Sequence, residues 1–121
     1  MGNIERRFRE IGEMRGRGSE QLVGATLEMM VQKREIDEFE RIEPRSELDY
    51  RGIDFFVIIK GERFPLQVKS SRRGLKEARK EHPEIPAIRA RPGDPIEKIH
   101  RRLKNELGKA RARYRRKGRR G

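Results

Sequence analysis

Four residues carry the chemistry that this sequence can do: Glu20, Asp54, Gln67 and Lys69. Gln67-Val68-Lys69 lies in the run 64–70, which reads as a β-strand. Side chains of a strand alternate between faces, so Leu66 and Val68 point into a core while Gln67 and Lys69 stand together on the other face. An ammonium inside a strand is costly unless an anion or a function compensates it. Asp54 opens the preceding apolar run, 54–59, and a turn at about residues 60–63 joins the two as an antiparallel hairpin. Pairing of Phe55 near Val68 would bring the Asp54 carboxylate within reach of Gln67 and Lys69. Glu20 starts a helical segment and flanks its apolar stripe, so it leans toward the sheet. Polar groups from three elements thus converge on one point.

The elements that must position them follow from periodicity. Ile4, Phe8 and Ile11 share one face of a helix over residues 3–14. Ser19 is the expected N-cap of a helix to about Arg34, with Leu22, Val23, Leu27, Met30 and Val31 as its apolar set. A first strand is expected at 39–42 and a turn at 44–52. The run 54–59 is apolar on both faces, as in a central strand covered on both sides. A helical turn at 74–81 precedes a short strand at 85–90, which Pro86 places near an edge. Asp94 is the expected cap of a long C-terminal helix over 94–114, with Pro95 at its first position and Glu97 three residues after the cap. Its stripe is Ile96, Ile99, Leu103, Leu107, Ala110 and Tyr114, and a frayed basic tail, 115–121, follows. The reading is one α/β domain over 1–121: a mixed sheet with helices against it, its core at 15–90, and no repeats.

This pattern resembles the PD-(D/E)xK nuclease superfamily. The residues that carry the likeness are Glu20 in Gly18-Ser19-Glu20, Asp54 in Gly52-Ile53-Asp54, and Gln67-Val68-Lys69 in the next strand. In spacing it is similar to the Holliday-junction resolvases and the small endonuclease-like proteins of archaea and bacteria. The resemblance implies a restriction-endonuclease-like core (αβββαβ) flanked by helices. It also implies an Mg²⁺- or Mn²⁺-dependent endonuclease that hydrolyses phosphodiester bonds in DNA, including structured or branched DNA. Asp54, Gln67 and Glu20 would then hold the metal, with the Val68 carbonyl as a further donor, and Lys69 would orient the attacking water or stabilise charge on the phosphorane. Most members carry Glu or Asp where Gln67 stands, and an amide oxygen attracts Mg²⁺ less than a carboxylate does. A junction substrate would require a homodimer, for which the face of Ile4, Phe8 and Ile11 is available.

Charge points to the partner. The chain has 121 residues, 43% of them charged, with a formal net charge of +12. Such a surplus favours an anionic polymer, since each phosphate neutralised releases counterions. The resemblance implies DNA in preference to RNA. Arg72 and Arg73 follow the Gln67–Lys69 strand and would flank the site. Arg15 and Arg17 precede Glu20, while Arg113 and Arg116 belong to the basic C-terminal run. Tyr114 reads as core, His100 as surface, and Asp49 as a turn residue. There are no cysteines, so disulfides and Cys-based zinc sites are excluded and a cytoplasmic setting fits. The composition also suits a hot environment. No membrane span or signal peptide is expected. Two other functions compete: a non-catalytic nucleic-acid-binding module that keeps the fold, favoured by Gln67, and an RNA-associated structural protein that works through its tail.

Overall fold

The computed structural model describes residues 18–120, with the backbone alone at Tyr50 and at 118–120. The expected helix at 3–14, its apolar face, Arg15 and Arg17 lie outside the described residues.

Helix α1, Gly18–Gln32, buries Leu22, Val23, Thr26, Leu27 and Met30 at helical spacing. It is already helical at Gly18, the first described residue, so Ser19 lies within the helix and does not cap it. It closes two residues early because Arg34 is left-handed (φ 60°). The Glu35 amide reaches back to the Met30 carbonyl and the Arg34 amide to that of Val31, a Schellman ending. Strand β1, Glu38–Arg41, follows. The segment expected as a turn holds a one-turn helix, α2, Glu47–Tyr50, capped by the Ser46 hydroxyl on the Asp49 amide.

Strands β2, Phe55–Ile59, and β3, Glu62–Lys69, form the predicted antiparallel hairpin. The turn is shorter than expected. Lys60 and Gly61 alone make it, both at positive φ (51° and 79°), the conformation whose twist suits a two-residue hairpin. Glu62 and Arg63 therefore belong to β3. Helix α3, Arg72–Glu81, is longer than the expected turn and is capped by the Ser71 hydroxyl on the Gly74 amide. It leads to β4, Ala87–Arg89, parallel to β3. The sheet order is β1-β2-β3-β4, so among the described residues β4 is an edge strand, as expected, although Pro86 lies just before it and not inside it. Pro65 is tolerated inside β3 because β4 pairs only with Gln67, Val68 and Lys69.

Helix α4 runs Ile96–Arg120, so the basic tail continues the helix. Asp94 does not act as predicted: its carboxylate turns back to the Arg91 amide (3.0 Å) and meets Arg102 (3.2 Å). Tyr114 is also not core. It is 54% exposed and meets the Phe64 ring edge-on.

The fold is thus mixed α/β, with helices on a four-stranded mixed sheet. Phe55, Val57, Leu66, Val68 and Ile88 meet α1 and α4 in the main core. The opposite face carries a smaller cluster of Ile42, Ile53 and Ile85, with Leu48 and Phe56 against it. Phe56 and Ile58 are only half-buried, so β2 is fully covered on one face, not both. Among the described residues no helix is long and apolar enough to cross a membrane.

Candidate metal and nucleic-acid site

The alternation of β3 puts Leu66 and Val68 in the main core and Gln67 and Lys69 on the opposite face. Gln67 is 1% exposed. Its amide nitrogen donates to the Ile85 carbonyl (3.4 Å), while its amide oxygen lies 3.0 Å from where a Cβ on Gly52 would stand. Gly52 also has φ +86°, so both the turn and this close approach require glycine. The Lys69 stem runs under Gly74 of α3, which places α3 on the same face.

The strand register differs from the expected one. Phe55 pairs with Leu66, not Val68, because the turn is two residues shorter than assumed. A shift of two residues keeps every side chain on its face, so Asp54 still arrives beside Gln67-Val68-Lys69. Its amide donates to the Leu66 carbonyl (2.9 Å), and its carboxylate accepts the Val68 amide (2.7 Å). Gln67 and Lys69 spend their backbone groups on β4, which turns the Val68 amide and carbonyl toward Asp54.

The Asp54 carboxyl is pushed up to about 6, chiefly by burial. The Val68 hydrogen bond opposes that rise, the Glu20 charge adds to it, Lys69 opposes it and Asp49 adds to it. Three carboxylates therefore act on one another across this corner, with Lys69 as the cation that offsets them. Glu20, in the first turn of α1, also pairs with Arg41 (3.2 Å). Asp49 accepts the Arg45 amide (2.9 Å), so it holds its turn as expected while adding to the field at Asp54.

Set against family models, curated proteins and solved structures, the chain matches none. The geometry must therefore carry the functional reading. Among the described residues, no group of three or more His, Cys, Asp or Glu side chains could hold a metal ion. The oxygen donors that these elements offer are the carboxylates of Asp54 and Glu20, the Gln67 amide oxygen and the Val68 carbonyl, with Glu20 paired to Arg41 and the Gln67 oxygen against Gly52. All are hard oxygens; burial does most to raise the Asp54 carboxyl, and the Glu20 and Asp49 charges that add to the rise are what a cation would relieve. The set fits Mg²⁺ or Mn²⁺ by donor type and by charge.

The predicted phosphate-binding arginines are dispersed. Arg72 and Arg73 occupy the exposed first turn of α3, just beyond Lys69, and Arg73 pairs with Glu77 (3.4 Å). Arg113 and Arg116 line a separate groove with Pro83 and Pro86, at the opposite end of β4. His100 departs from the surface reading: it is half-buried against Glu35 (2.9 Å), which holds the Glu35 carboxyl below its usual value. Arg89 escaped the sequence reading altogether. It stands in an apolar edge strand, directly opposite Lys69 in the ladder, where a guanidinium is as costly as the Lys69 ammonium.

Proposed function

We propose that the chain is a metal-dependent endonuclease of the PD-(D/E)xK type, with a restriction-endonuclease-like core, that hydrolyses phosphodiester bonds in DNA. The observation that supports this most is the Asp54 carboxylate seated on the Val68 amide, between Gln67 and Lys69 on adjoining strands. Asp54 and Gln67, with Glu20 and the Val68 carbonyl, would hold Mg²⁺ or Mn²⁺. The ion would supply Lewis acidity toward the scissile phosphate and a lowered pKa for its water. Lys69 donates to the phosphoryl oxygens where charge accumulates, and its stem is fixed under α3 for that task. Asp54 is positioned by a backbone amide, so its carboxylate needs no reorganisation on binding. Gln67 presents its amide oxygen in one orientation because its nitrogen is committed to Ile85.

The test is cleavage of labelled single-stranded, duplex and four-way-junction DNA in Mg²⁺, Mn²⁺ or EDTA, with Asp54→Ala and Lys69→Ala alongside. Metal-dependent cutting that both substitutions abolish is the expected outcome. A preference for the junction would imply a dimer with paired sites, checked by sedimentation.

Gln67 favours a second reading. It is neutral, buried and tied to a backbone carbonyl, which is also how a structural residue is held. On that reading the chain is a non-catalytic nucleic-acid-binding module. Salt-sensitive binding with no cutting in any metal would establish it in place of the first.

A further inference from the structure

The edge strand carries a cation that its surroundings do not balance. Arg89 is 9% exposed, and its Nη1 is sealed from solvent with no hydrogen-bond partner. Its guanidinium takes part in no hydrogen bond or ion pair among the described residues. The strongest charges acting on it are mostly of the wrong sign: Arg91, Arg102 and Arg72 repel it and Asp94 attracts it. Asp94 is already engaged by the Arg91 amide, by Arg102 (3.2 Å) and by Lys98 (3.8 Å). Burial and the three cations hold the Arg89 guanidinium below its ordinary value. A buried charge with no partner is strongly unfavourable, and gathering like charges about it makes matters worse. The arrangement is explained if an anion completes it.

The space for that anion is present. A groove of about 260 Å³ follows the open edge of β4 between α3 and α4. Arg72, Arg79, Arg89 and Arg102 line it, with Glu106 at one side. Glu106 is taken by Arg79 (3.3 Å) and Lys109 (3.8 Å), so it does not reach Arg89 as a counter-ion. Arg102 is fixed by its bond to the Arg89 carbonyl (2.6 Å). Planar guanidinium forks match the oxygens of a phosphate. No aromatic side chain lines the groove, so nothing in it would stack on a base. Lys69 and Arg89 are partners in the parallel ladder, and partners in such a ladder project from the same face. Arg89 therefore projects from the sheet face that carries Lys69, at the C-terminal ends of β3 and β4.

We propose that Arg89, with Arg72 and Arg102, forms a phosphate-binding subsite that holds one backbone phosphate of a nucleic acid on the sheet face that carries Lys69. It rests on the nucleic-acid part of the reading above and not on cleavage.

The experiment compares the full-length wild-type chain with Arg89→Met and with Arg72→Gln, an exposed position that folding tolerates. Melting is followed in inorganic phosphate and in chloride of equal ionic strength. Binding to labelled duplex DNA is followed by anisotropy across a salt series in EDTA. Phosphate should raise the wild-type melting temperature, and that rise should vanish in Arg89→Met and shrink in Arg72→Gln. Without phosphate, Arg89→Met should melt no lower than wild type, because it removes an unbalanced charge. For DNA, the slope of log K against log salt should flatten by about 0.9 in Arg89→Met, the share of one phosphate. Equal phosphate responses in all three proteins would overturn the subsite. A phosphate response with an unchanged DNA slope would overturn its nucleic-acid source and leave a site for free phosphate. The two readings separate cleanly, because Asp54→Ala should abolish cutting and leave this slope as it is.

Discussion

The Asp54 carboxylate accepts the Val68 amide at 2.7 Å, where a regular ladder would place a backbone carbonyl. The Asp54 carbonyl is turned the other way and receives the Ile42 amide at 3.0 Å. One residue thus joins β1 through its carbonyl and β3 through both its amide and its side chain, and these bonds hold the carboxylate at the candidate site.

That placement has a pH signature in the metal-free protein. The Asp54 carboxyl is raised from 3.8 to about 6, so the folded state binds its proton more tightly than the unfolded state does. Stability should therefore fall as pH rises between these values and should level off above about 6, with a total loss on the order of 2–3 kcal/mol. Chemical denaturation at stepped pH checks the sign. The slope between about 4.5 and 6, above the range where the depressed Glu35 and Asp94 carboxyls titrate, should vanish in Asp54→Asn, and Mg²⁺ should restore stability at neutral pH in wild type alone.

Lys69→Met should leave the fold intact, since the stem still packs under Gly74. The expected loss in single-turnover cutting is about a hundredfold or more, the scale for removing one group that stabilises developing charge. Circular dichroism shows whether the fold survives. Unchanged cutting would remove Lys69 from the mechanism.

Gln67→Glu should separate stability from metal binding. It replaces the amide that bonds to Ile85 by a carboxylate that is 1% exposed and faces a carbonyl. The metal-free protein should lose roughly 1–3 kcal/mol. Mg²⁺ should bind more tightly than to wild type and return much of that loss, as titration calorimetry paired with melting would record.

Gly52→Ala tests the turn that delivers Asp54. A Cβ there would lie 3.0 Å from the Gln67 amide oxygen, on a residue with φ +86°. A loss of roughly 1–3 kcal/mol is expected from the backbone strain. Weaker Mn²⁺ binding should accompany it, because the Gln67 amide must shift.

The sequence reading of the hairpin survived an error in its register, and the reason lies in strand geometry. Taking the turn as residues 60–63 moved Phe55 two positions along β3, and two positions preserve the face. Nothing about lysine announces positive φ at Lys60, so the true length of the turn was not visible. Helix α2 was missed because one turn is too short for any periodicity to register. Asp94 looked like a helix cap by type and position, yet the Arg91 amide and Arg102 compete for its carboxylate and win. Arg89 was hidden by its apolar neighbours in the run 85–90, although its burial is the stronger anomaly beside Lys69. Helix spacing in α1 and the stripe of Ile99, Leu103, Leu107 and Ala110 were legible because packing against one core enforces them.

Among the described residues no strand pairs with the outer edge of β4. An edge strand offers its backbone as a template on which a second chain can add. Here Arg102 occupies the Arg89 carbonyl, and arginines from α3 and α4 border the rest of the edge. A second copy approaching edge to edge would bring the same positive charges against these. The arginines that would hold a phosphate therefore also act as gatekeepers against strand-to-strand aggregation at this edge, and neutralising them with a polyanion would relax that guard.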